Sequence, residues 1–552
     1  MARKISQETF DDVVRENIEE FDLDDKAALE DAINQFKKQD VDLSSVDLSG
    51  GVGRQDILDA IKTLEESSKG VVEDAKVLSA ISGVKVLCDK DHEYSSRNRM
   101  FVMNHGGLNA LHILFDPKNS EVVLLATMNF MEDLSKNNVE IRDFFEPGGS
   151  ERLNNVLKKF MVEPNVNHAI LQSALTLART VAKSEQNKNQ LMVCGAGVSL
   201  STIVISNAAQ YQEWAPVLTD ACLLMRGLCV HDDIRKDMSC AYENGRFFLK
   251  QNGMVAALMA MSDYFRAYPA LASAALSAAR NMIATEEAVQ VMSQHGAIEL
   301  IRDVLSYPDA TVGLVRSAVG LMRNVCADDV RKDRLVGDGS LDLLINVMSQ
   351  EQYAKDGGLM EHAVACLAQI SLRSPSNAQR IVSAGAALDI LARTMRRYAD
   401  RSGLQRQGCL TVRNIAARGP ELRPVLLDAG FEDLLRAAGR IMDVVDEAYG
   451  ALRDLGCEVH YVKVGADGRV EPVYEQFGAA AKLQFNPIYD EDDYITTRVQ
   501  EEARAPLPLP PVVDRPPVQS NETASNSANY SHDHQHSHGH EHDHTHSDAC
   551  CH

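Results

Sequence analysis

Apolar residues through the middle of the chain recur with the period of a helix. In AIELIRDVL (297–305), Ile298, Leu300, Ile301, Val304 and Leu305 fall on one helical face. The same stripe returns in LDLLINVM (341–348) and ALDILARTM (387–395). Each stripe follows a glycine, and each glycine follows a polar turn and a short helical stretch. An alanine-rich helix precedes that turn, as in SAALSAARNMIATEEAVQVMSQHG (273–296) and RSAVGLMRNVCADDVRKDRLVGDG (316–339). Further copies span 361–395 and 407–439, with looser ones at 124–160 and 173–206. EAYGALRDLGCEV (447–459) reads as a shortened last copy.

The glycine sets the register. Gly106, Gly148, Gly195, Gly253, Gly296, Gly339, Gly385 and Gly430 occupy the same place, at spacings of 42, 47, 58, 43, 43, 46 and 45. All but the third fit the period of about 40–47 residues of helical solenoid repeats. A glycine there ends one helix in a left-handed conformation and lets the next leave at a sharp angle. The long third interval holds HDDIRKDMSCAYENGRFF (231–248), which is predicted to lengthen a loop at one edge. One repeat cannot bury its apolar stripe alone, and stacking joins the stripes into a continuous core.

This pattern divides the chain. Residues 71–460 are the repeat block. Residues 1–48 carry two stripes, Phe10, Val13, Val14, Ile18 and Phe21, then Leu29, Ala32, Ile33 and Phe36, which predict two short amphipathic helices in an acidic setting. Residues 49–70 read as a linker. VHYVKVGADGRVEPVYE predicts a small hairpin around Ala466–Gly468, within 461–480. Residues 481–552 are rich in proline and acid, offer little apolar surface to bury, and are predicted to be disordered.

The repeats resemble the armadillo family. The residues that carry the resemblance are the steps Arg280–Asn281, Arg323–Asn324 and Arg413–Asn414, each followed about sixteen residues later by a glycine turn. The stretches 5–44 and 451–459 and the insertion HDDIRKD (231–237) are also similar to parts of that family. The resemblance covers residues 4–460. It implies an all-α fold, an armadillo-type α-solenoid forming a right-handed superhelix of about eight three-helix repeats. It also implies a concave groove lined by the third helix of each repeat, and action through protein contacts with no catalytic residue.

On that helix Asn281, Asn324 and Asn414 have two readings. Their amides, each both donor and acceptor, can grip the backbone of an extended peptide, or they can bond the loops between repeats. The arginines beside them, Arg280, Arg323 and Arg413, with Arg226, Arg179 and Arg453 at matching places, either face acidic groups on a ligand or pair with carboxylates of neighbouring repeats. Nuclear import receptors of the family set a tryptophan one turn before each asparagine to hold lysine stems. Here those places are Ser277, Gly320 and Leu410, and Trp214 is the one tryptophan in the chain. Import-receptor function is therefore the least favoured reading.

Composition narrows the chemistry. The net charge is −23, with 18 acidic and 9 basic residues in 1–70, and 15 and 6 in 461–552. The repeat block carries only −5 of it. A duplex-binding protein needs a basic surface, so no direct nucleic-acid partner is expected, and a basic protein partner fits the overall charge better. No apolar run reaches the ~18 residues of a membrane span, and the N-terminus has no apolar signal region. No membrane insertion is expected. The 11 cysteines include no CxxC pair, which suits a reducing compartment, and the expected location is the cytoplasm, with the nucleus also open to it. CGAGVSLS (194–201) and SGGVGRQD (49–56) lack the context of a phosphate loop, and neither HExxH nor GxSxG occurs. Asp232–Asp233 and Asp328–Asp329 read as turn residues that cap the following helix. No enzyme and no small-molecule substrate are expected.

The last 22 residues are of another kind. His532, His534, His536, His538, His540, His542, His544 and His546 alternate with other residues, and Cys550 and Cys551 follow. Imidazole and thiolate are good ligands for zinc or nickel. The segment therefore reads either as a metal-handling tail or as solvated low-complexity sequence on a chain that otherwise needs no cofactor. The main reading is a non-catalytic scaffold that binds a protein segment in the groove. The alternative is a metal-handling protein that binds zinc or nickel through this tail.

Overall fold

The computed structural model describes residues 3–472 apart from 22, 24, 40, 44, 45, 47–53, 71, 72, 93, 147, 284, 460, 461 and 465–469. The tail expected to be disordered, with all its histidines, lies outside the described residues.

All eight register glycines are left-handed, with φ between +56° and +103°. Every one ends a first helix and starts a second. Eight third helices follow the eight glycines: Glu121–Ser135, His168–Val181, Tyr211–Leu228, Pro269–Met282, Val312–Val325, Gly357–Ser371, Ser402–Arg418 and Val445–Leu455. We number the repeats one to eight by these helices. Each third helix packs on the next from Glu121–Ser135 to Val445–Leu455, and second helices do the same from Gly149–Phe160 to Phe431–Ala438. The fold is an all-α, armadillo-type solenoid.

Small side chains permit the third helices to approach closely. Ala272, Ala275, Ala279, Ala318, Ala363 and Cys366 have no exposed surface. A single apolar core runs without a break from Ile57 to Leu455. Larger side chains, such as Leu314, Leu321 and Leu404, fill the space toward the other two helix layers.

The start of the solenoid differs from the sequence reading. Residues 54–69, expected within a linker, form the helix Arg54–Lys69, with Ile57, Ile61 and Leu64 buried. It packs on Asp74–Leu87 and on the second helix of repeat one. Asp74–Leu87 in turn packs on the first of the third helices. The pair is a partial repeat that covers the open end of the stack. Its stripe, Ile57–Ile61–Leu64, was legible but was outweighed by the glycines before it and the serines after it.

Two small elements lie outside this core. The helices Gln7–Phe21 and Asp25–Lys38 pack on each other around Phe10, Val14, Ala28, Leu29, Ala32 and Phe36, which form a separate cluster. Phe21, expected on the buried stripe, is 63% exposed because the helix ends there. Arg3–Lys4 and Val41–Asp42 pair as a short parallel ladder. Val462–Val464 pairs antiparallel with Val470–Pro472, and the turn expected around Ala466–Gly468 lies outside the described residues. The insertion after repeat three is only partly a loop. Its second half forms Ala241–Leu249, the first helix of repeat four.

Two glycine substitutions separate backbone strain from packing. Gly339 has φ +90° and open space where a Cβ would stand, so Gly339→Ala pays only for conformation and should cost about 1–2 kcal/mol. Gly83 sits exposed inside Asp74–Leu87, also with open space, so Gly83→Ala should stabilise by about 0.5–1 kcal/mol. Urea unfolding of the two variants checks both signs, and equal shifts would contradict the register assignment.

Candidate functional site

The three asparagines singled out by sequence sit at the C-terminal ends of third helices and do the same thing. Asn281 Nδ2 donates to Arg226 O at 3.3 Å, Asn324 Nδ2 to Arg280 O at 3.0 Å, and Asn414 Nδ2 to Ala368 O at 2.9 Å. Each acceptor belongs to the last turn of the preceding third helix. The amide nitrogen thus ties successive repeats together. Asn281 Oδ1 accepts from Arg280 Nε at 3.2 Å.

First helices supply a second set of ties that sequence reading missed. Asn98 Nδ2 donates to Leu87 O at 2.6 Å, and Asn187 Nδ2 to Val181 O at 2.9 Å. Lys332, 1% exposed, donates to Leu372 O at 2.7 Å and to Asp329. Lys188, fully buried, reaches Val230 O at 2.6 Å and pairs with Asp232. A legible signal existed, since Asn98 and Asn187 each stand eight residues before a register glycine. The paired aspartates divide in role. Asp328 caps its helix, accepting from Arg331 N at 2.8 Å, as expected. Asp233 instead holds Glu185 N at 3.0 Å and Arg235 Nε at 2.8 Å, which fastens the insertion to repeat three.

The arginines of the third-helix face are not alike. Arg179 pairs with Asp220, and Arg413 Nε lies 3.2 Å from Asp454 Oδ2. Both carboxylates belong to the following third helix, so these two bind neighbouring repeats to each other. Arg453 also meets Asp454, at 2.9 Å. Arg226, Arg280 and Arg323 pair with no carboxylate among the described residues. Arg280 lies across Gly320 of the next third helix, where a Cβ would come within 2.7 Å of its guanidinium. It donates from its Nη1 to His362 Nε2 at 3.0 Å, one repeat further on. Burial, with Arg226, Arg323 and Arg316 nearby, brings Arg280 down to about 10. Burial and the same cationic setting push His362 down to about 3, so the imidazole is neutral.

Sequence reading missed His362, Ser317, Arg316 and Asp356, which belong to this cluster. His362 stands where repeat five has Ser317, and Arg316 reaches Asp356 at the start of the next third helix. Ser277 and Ser317 hydroxyls meet at 2.9 Å. Nothing in a single repeat marks these residues, because side chains from four repeats make the cluster. Among the described residues, no group of three or more His, Cys, Asp or Glu could hold a metal ion. The expected ligands His532 to His546, Cys550 and Cys551 lie outside the described residues. The buried thiols of Cys222 and Cys326 are pushed up to about 12 by desolvation.

Stacked three-helix repeats, left-handed glycine turns and inter-repeat asparagines define an armadillo-type repeat fold. An engineered protein of known structure superposes with a TM-score of 0.51 at 16% identity, covering 73% of this chain and all of that one. A designed armadillo repeat protein also matches, at 21% identity and a TM-score of 0.37, over 46% of this chain and 99% of its own. Residues 2–52 match the family model of the armadillo repeat-containing protein 6 N-terminal domain. The chain resembles armadillo repeat-containing protein 6 itself. It is 25% identical to the Homo sapiens protein over 402 residues, covering 69% of this chain and 76% of that one. It is 24% identical to the Drosophila melanogaster homolog over 385 residues, with 68% and 78% covered.

The neutral imidazole of His362 has a consequence for acid stability. Unfolded, it binds a proton below about pH 6.5, whereas folded it does so only near 3. Between those values the unfolded state holds more protons, so stability falls as pH falls, by at most about 1.4 kcal/mol per pH unit from this group. His112, brought down to about 4 by burial, adds in the same direction. His362→Gln should show a shallower loss of urea stability on acidification than the parent chain, and an unchanged loss would contradict the assignment.

Proposed function

We propose that this chain is a non-catalytic scaffold that holds an extended segment of a partner protein along its third-helix face. The observation that carries the reading is the unbroken run of eight third helices, each packed on the next. Such a run repeats the same surface at a fixed interval, which suits a ligand that is itself periodic, an extended polypeptide. The rigid ties from Asn281, Asn324 and Asn414 support it, because a face held in register loses little freedom on binding. The fold class and the resemblance to armadillo repeat-containing protein 6 are consistent with a scaffold.

Because these asparagines hold repeats together, replacing them would confound binding with stability. Photo-cross-linking residues at partly exposed Leu223 and Leu410 on third helices avoid this. Val193 and Val330, 71% and 77% exposed on first helices, serve as controls. In native extract the same partner should cross-link from Leu223 and Leu410 and not from the controls. It should still do so from a chain ended at residue 480. Cross-links only from the controls, or loss on truncation, would sink the proposal.

A further inference from the structure

The third-helix arginines differ in whether the protein itself answers their charge. Toward the two ends of the row, Arg179 and Arg413 have Asp220 and Asp454 from the following helix. In the middle, Arg226, Arg280 and Arg323 stand on three successive third helices without a carboxylate partner among the described residues. Among the described residues, Arg280 makes hydrogen bonds to uncharged groups, Asn281 Oδ1 and His362 Nε2. Glu361 is close enough to feel Arg323 but makes its ion pair with Arg401, at 3.9 Å. Arg316 adds a further guanidinium, matched by Asp356.

Uncharged donors surround these cations. Arg280 donates to Nε2 of the neutral His362 ring, so the ring proton is on Nδ1, and that buried nitrogen has no partner. The Ser277 hydroxyl lies three residues before Arg280 and the Ser317 hydroxyl six before Arg323 on the same helices, where the two meet at 2.9 Å. Guanidiniums crowded together and partly removed from water repel one another, and a bound anion replaces that repulsion with charge-assisted hydrogen bonds.

We infer that the middle of this face, from Arg226 to His362, binds the carboxylates of an acidic, extended segment of a partner protein. The inference rests on the reading of the third-helix face as the partner-binding face. Packed helices stand about 10 Å apart, and an extended chain advances about 3.3 Å per residue, so an acid at every third residue meets one arginine per repeat. The overall charge of −23 points instead to a basic partner, but its excess lies in 1–70 and 461–552. Few unpaired cations and that same overall charge disfavour a nucleic acid.

The test is fluorescence anisotropy on the full chain with dye-labelled polyglutamate, polylysine and oligouridylate. Polyglutamate should bind, with an affinity that falls with added salt. Its adsorption elsewhere on so acidic a chain is unfavourable, so binding reports the local cluster. Arg280→Gln/Arg323→Gln should weaken it by about tenfold or more. Arg226→Gln, at an exposed position that needs no repacking, should weaken it too, which keeps the test open if the double variant misfolds. Arg179→Gln, already paired with Asp220, should leave it unchanged. No binding, equal loss in Arg179→Gln, or preference for polylysine or oligouridylate overturns the inference. Binding that appears only after removal of 481–552 also overturns it, by making the chain's own DEDD (490–493) the occupant. Cross-links from Leu223 and Leu410 without polyglutamate binding leave the scaffold standing and remove the acidic partner, and the reverse result does the opposite.

Discussion

The packing of each third helix on the next is the contact that the remainder of the molecule depends on. It removes from water the apolar faces that no repeat can cover alone, and small side chains set its closeness. Ala275, Ala279 and Ala318 bring the helix backbones near enough for Asn324 to reach Arg280 O, and for Arg280 to lie over Gly320. Were Gly320 to carry a side chain, Arg280 would have to leave its place. Core packing and the polar features of the face are therefore one arrangement.

The ends of the row show how the same residue type takes two roles. Arg179 and Arg413 each find a carboxylate on the next helix and act as inter-repeat ties of modest worth, since both are partly exposed. Arg226, Arg280 and Arg323 do not. The difference lies in what the following repeat offers: Asp220 and Asp454 at the ends, against Ser317, Gly320 and His362 in the middle. A periodic scaffold thus varies its surface chemistry along its length without altering its backbone.

Much of this was legible in the sequence. The glycine register marked all eight turns because a left-handed backbone position narrows the choice of residue strongly. The apolar stripes marked the second helices because their period is set by the helix itself. The helix Arg54–Lys69 was misjudged because flanking glycines and serines resemble a linker when its packing partners, Asp74–Leu87 and Gly107–Leu114, are not in view. The exposure of Phe21 was likewise invisible to a stripe count.

What sequence alone determined is the fold class, the repeat register and which residues stand on the third helices, since each follows from local spacing. Which of those residues are free to meet a partner was decided only by tertiary structure. Asn281, Asn324 and Asn414 turned out to direct their amide nitrogens to the preceding repeat. The middle cluster joins Arg226, Arg280, Arg323 and His362 from four helices, its first and last members 136 positions apart. Charge balance at such a site depends on distances across repeats, and no period along the chain records them.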